Sequence, residues 1–68
     1  MPGSTYLLEV FHPGETTPIE RHTVARAADV LELIPRLLES HPGCERVVVM
    51  MGQTRLFAVD CTGNRLAD

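Results

Sequence analysis

Cys44 and Cys61, with His41 three residues before the first of them, are the residues of this 68-residue chain whose types and spacing could do chemistry. The set His41-x-x-Cys44 plus Cys61 offers three soft or borderline ligands, with Asp60 or His12 as a fourth, as a zinc site would need. There is no CxxC pair and no second histidine at fixed spacing, so metal binding is the weaker reading, and a histidine at a helix end more often bonds a carbonyl. A disulfide is the other chemistry. If the last two strands stay aligned to their open end, Cys44 and Cys61 become cross-strand neighbours at a Cα separation of about 4.5 Å, which admits the bond. A cytoplasm keeps thiols reduced, so two small apolar side chains are expected there.

Arg46 and Arg55 could hold an anionic ligand, but arginine stems also cover apolar surface while their heads stay in water. Removal of Met1 would expose the amine of Pro2, the base that small tautomerases use. Those enzymes begin a strand at the proline and follow it with a helix, whereas Gly3-Ser4 and a second strand intervene here. No Ser/His/Asp order, glycine-rich phosphate loop or paired-carboxylate signature stands out. No catalytic residue is assigned, and no cofactor is expected.

The elements that position these residues start with a hairpin. Val47 to Met51 and Arg55 to Val59 are rich in β-branched, aromatic and flexible apolar side chains, and Gly52-Gln53 between them makes a two-residue turn with positive φ at glycine. Paired without interruption, Val47, Val49, Met51, Leu56 and Ala58 share one face. Val48, Met50, Phe57 and Val59 share the other, with Arg46 and Arg55 among them. A solvent-facing sheet would alternate to polar residues, so this second face is expected to be covered in part by a partner.

An earlier hairpin joins a strand over Thr5 to Phe11 to one over Ile19 to Val24 through His12-Pro13-Gly14. Pairing Phe11 with Ile19 sets Glu9 opposite Arg21, whereas a slip of one sets it opposite Glu20, and like charges disfavour the slip. Tyr6, Leu8, Val10 and Val24 then share one face. The second strand, with Pro18 at its entrance and Glu20, Arg21 and His22 within it, reads as a sheet edge. Between the hairpins, Ala27, Val30, Leu31, Ile34, Leu37, Leu38 and His41 line one side of a helix at about 100° per residue. Asp29 and Glu32 could cap a later start. Pro42 and Gly43 stop the helix. Pro35 removes a hydrogen bond to Leu31 at a cost of about 3 kcal/mol, which predicts one helix with a bend.

The order ββαββ, an α+β pattern, lets strands one and four meet in parallel beneath the helix, giving a four-stranded mixed sheet of order 2-1-4-3. In element order it resembles the β-grasp arrangement of ubiquitin-like and protein-G-like domains. That resemblance implies a fold and no activity. In such an order the strand of residues 47–51 is an edge, open to another chain.

Composition bounds the rest. One small domain over residues 1–68 is expected, with residues 1–4 and 62–68 as flexible tails. Six basic against nine acidic residues give a formal charge of −3, which provides no general attraction to phosphate backbones. No apolar run approaches the roughly 20 residues that span a bilayer, and no basic region followed by an apolar signal segment opens the chain. The expectation is therefore a cytoplasmic protein without nucleic-acid or membrane partners. A domain of this size buries only about 60% of its unfolded surface, which favours self-association. The function expected is a small protein-interaction module, a homo-oligomer joined through Val48, Met50, Phe57, Val59, Arg46 and Arg55 or through the edge of strand 47–51. The other reading is a small enzyme or ligand-binding subunit whose site forms between protomers.

Overall fold

The computed structural model describes residues 5–66. The elements follow in the order β1 (Tyr6–Phe11), β2 (Glu20–Val24), α1 (Ala27–Ser40), β3 (Arg46–Met51) and β4 (Thr54–Asp60). They form one sheet of order β2-β1-β3-β4, in which every neighbouring pair is antiparallel. The expected mixed, β-grasp-like sheet of order 2-1-4-3 is therefore wrong: β1 pairs with β3, and β4 is the outer strand. The reason lies in β3. Val47, Val48 and Val49 are all buried, and an unbroken apolar strand gains most where neighbours flank it and both faces are shielded. Thr54, Arg55 and Leu56 are exposed in β4, which makes it the cheaper strand to leave outside. The edge of strand 47–51 is consequently not available to another chain.

The first hairpin keeps its expected alignment, with Glu9 opposite Arg21 and Arg21 Nε 3.1 Å from the Glu9 carboxylate. The second hairpin turns at Gly52, whose φ is +63°, and pairs Met51 with Thr54 and Met50 with Arg55. It then departs from the uninterrupted ladder. Val49 faces Phe57, Val48 faces Ala58 and Val47 faces Val59, so Leu56 is an extra residue in a β-bulge. The bulge turns Phe57 and Val59 to the helix side and Ala58 away from it. Without it the two bulkier groups of β4 would leave the main core.

That core joins Leu8, Val10, Val47, Val49 and Val59 of the sheet to Val30, Ile34 and Leu37 of the helix. A smaller cluster of Phe11, Val48 and Ala58, with Met50 against it, lies on the other face. There the Arg46 guanidinium sits 4.4 Å from the centre of the Phe11 ring, so the arginine stem shields apolar surface. The helix runs unbroken through Pro35, and Arg26 stands at its N-cap without a side-chain cap bond. Asp29 is occupied with Arg26 instead, through two contacts of 3.2 Å. Leu31, expected on the core side, is 68% exposed.

Residues 62–66, expected within a loose tail, fold back on β4. Asp60 Oδ1 accepts the Thr62 hydroxyl and then the backbone N–H groups of Asn64 and Thr62, which holds the Asp60 carboxyl below its usual pKa. Beyond this turn Arg65 bridges to Val59 and the Leu66 N–H donates to the Ala58 carbonyl at 2.9 Å. This return segment occupies the outer backbone of the second half of β4. The Met1-Pro2 start lies outside the described residues.

Candidate functional site

Two places on the molecule bring together residues that packing alone leaves unused. The first is a cleft between α1 and β4. The helix backbone lies across β1, β2 and β3 and does not closely approach β4, so the helix side of the outer strand is left open. Tyr6, Val49 and Phe57 line this cleft from the sheet, Ala27, Val30 and Leu31 from the helix, and Leu56 from the bulge; its volume is about 250 Å³. Arg65 lies over the Phe57 ring, 5.0 Å from its centre. Leu31 and Leu56, at 68% and 37% exposure, stand at its margins.

The bulge makes the cleft by turning Phe57 under the helix flank while pushing Leu56 outward. Sequence reasoning placed neither Leu31 nor Leu56 in a site, although a signal for Leu31 is present. From Leu33 round to Ala28 the apolar arc of the helix covers about 220°, against the roughly 100° that a core-facing stripe requires. Val30, Ile34 and Leu37 use the buried centre, leaving Ala27, Ala28, Leu31 and Pro35 exposed on the β4 side.

The six residues expected to form an interface do not make one patch. Val48 and Met50 lie on the face away from the helix with Arg46 and Arg55, which pair across the ladder with Phe11 and Met50. Phe57 and Val59 are turned to the helix side. Val48 is 7% exposed and Ala58 1%, so the middle of the far face is already shielded within one chain.

The second place is the end of the sheet where the two His-Pro-Gly turns meet. His12 and His41 contact ring edge to ring face, with centroids 5.6 Å apart. Glu20 reaches both His22 and His41, the latter at 3.1 Å. These hydrogen bonds, from His22 first and His41 second, hold the Glu20 carboxyl below its ordinary pKa. Nε2 of His12 is buried without a hydrogen-bond partner among the described residues. Sequence reasoning missed this convergence because Glu20 and His22 belong to a polar strand whose end meets the helix terminus only in the folded sheet.

Cys44 and Cys61 are joined in a disulfide, their Cα atoms 5.4 Å apart, contrary to the expected pair of thiols. The ladder ends at Arg46 and Asp60, and the chains beyond it close on the cystine outside any pairing register. Cys61 Sγ also lies 3.3 Å from the His41 carbonyl oxygen. With both sulfurs bonded to each other, the ligand set His41, Cys44 and Cys61 does not assemble. Among the described residues no group of three or more His, Cys, Asp or Glu side chains is placed to hold a metal ion, and no helix is long and apolar enough to cross a membrane.

The Glu20 contacts carry a pH signature. A carboxyl whose folded pKa is depressed contributes stability that is fully present above its unfolded pKa and is lost as pH falls through the folded value. Unfolding midpoints of the wild type should thus fall on the acid side of the ordinary carboxylate range, and Glu20→Gln should flatten that limb while remaining folded at neutral pH. Parallel acid limbs in urea titrations of the two proteins would remove Glu20 from the cluster's energetics. Comparison with protein families, curated proteins and solved structures finds no match to this chain.

Proposed function

We propose that this chain is a small protein-interaction module, and that the cleft between α1 and β4 is its docking surface. The observation that carries the reading is Leu31, a large apolar residue left mostly exposed beside an open cleft whose lining is almost wholly apolar. Exposed apolar surface of this kind, with aromatic groups at its centre, is typical of protein contacts. The far sheet face is the poorer candidate because Val48, Ala58 and Phe11 are already covered.

Amide NMR spectra, recorded through a dilution series and with an apolar fluorescent probe such as an anilinonaphthalene sulfonate, test it. Signals of Ala27, Leu31, Val49, Leu56 and Phe57 should move together. Shifts confined to Val48, Met50 and Arg46 would transfer docking to the other face, and no response at either face would defeat the proposal.

The second reading, an enzyme or ligand-binding subunit with a site between protomers, is favoured by one observation, the meeting of His22 and His41 at Glu20 with His12 packed against the His41 ring. The redox state of Cys44 and Cys61 provides a test of the compartment. In the reducing cytoplasm expected from the sequence the pair would stand as thiols, whereas alkylation of acid-quenched cells that leaves both sulfurs unmodified would place the protein in an oxidising compartment.

A further inference from the structure

Resting on the reading of the cleft as a docking surface, we infer that its occupant is a second copy of this chain, related by a two-fold axis that runs along the cleft. An isologous contact requires each surface to carry both a projection and the hollow that receives it. Here they lie side by side: Leu31 projects from the helix at the level where Leu56 and Phe57 wall the hollow. A rotation about an axis along the cleft keeps that level and exchanges the helix side for the strand side. Leu31 of each copy then meets the Leu56–Phe57 wall of the other. An axis running across the cleft would instead set Leu31 against its own equivalent.

Charge selects the same axis. The crest of the helix beyond the apolar flank carries exposed Glu39 and Glu32, the latter at the edge of a β2-side groove that Val24 and Arg36 also line, while the strand side of the cleft carries exposed Arg65 above Phe57. The lengthwise axis brings the glutamates of one copy to Arg65 of the other, whereas the crosswise axis opposes glutamate to glutamate. Strand-to-strand pairing along β4 is a poorer alternative, since Arg65 and Leu66 already bond to its second half.

Sedimentation equilibrium of the full chain over a wide concentration range tests this. The wild type should be a reversible dimer, and Leu31→Asp, at an exposed position, should stay folded while self-association weakens by about tenfold or more, as expected for losing one buried leucine. Glu32→Arg with Glu39→Arg should weaken the dimer, Arg65→Glu should weaken it too, and the three changes together should restore it. A wild type monomeric at every concentration overturns the second copy; shifts of the cleft signals with the apolar probe would then show that the docking surface itself stands. A dimer indifferent to Leu31→Asp overturns both, and a dimer weakened by that change yet not restored by the combined charge reversal overturns the lengthwise axis.

Discussion

Leu8→Ala is expected to remove about 2–5 kcal/mol of stability, the usual range for emptying a well-packed leucine site. Leu8 is fully buried on β1, between His22 of β2 and Val49 of β3, and it packs in the core that joins sheet and helix. A chain of this length has a total stability of roughly 3–10 kcal/mol, so the variant should lose a large share of it and unfold at a much lower urea concentration. Urea titration followed by circular dichroism measures the loss. Leu31→Ala provides the control within the same experiment: a residue so exposed in the protomer should cost under about 1 kcal/mol when truncated. A loss at Leu31 comparable to that at Leu8 would show that something covers it in solution, and its dependence on protein concentration would identify that cover as another copy.

Opening the Cys44–Cys61 bond is expected to cost about 3 kcal/mol, because the link removes closure entropy from an unfolded loop and the two residues lie 17 apart in sequence. Denaturation with and without a dithiol reductant reads this directly, and Cys61→Ser should give a similar loss without reductant. Cys44 is the less suitable substitution, since it is buried in the main core and its truncation would add a packing cost. A midpoint that ignores the reductant would mean the sulfurs are not bonded in the protein. The effect should be largest at the end of the sheet where the cystine, the helix terminus and the histidines meet, and hydrogen exchange at Cys44 and Asp60 should quicken first.

Local chemistry in the chain is legible where one physical term dominates. The opposed charges of Glu9 and Arg21 outweigh other registers of the first hairpin, and Gly52 supplies the φ sign that its tight turn accepts, so the alignment of the first hairpin and the turn of the second are readable. Strand order is different, because the sequence of Val47 to Val49 demands burial without stating which neighbour provides it. Pairing with β1 satisfies that demand better than a place at the rim does. The bulge at Leu56 leaves no compositional mark, since glycine is absent there and the benefit arises from two residues further along. The candidate cleft depends on that bulge, which is why Leu56 is not legible as a lining residue and Phe57 is expected on the other face, whereas Leu31 shows only in the over-wide apolar arc of the helix. The histidine cluster was hidden for a simpler reason: its members are up to 29 positions apart (12 to 41) and meet only through tertiary folding.

The supernumerary Leu56 makes β4 a segment that counts its residues. Inside and outside are assigned by parity from the turn onward, and a single unpaired position resets that parity for Phe57, Ala58 and Val59 together. Many side-chain exchanges in this segment can be absorbed, but a change of length by one would turn the strand inside out. Evolutionary drift should therefore alter the letters of β4 far more freely than their number.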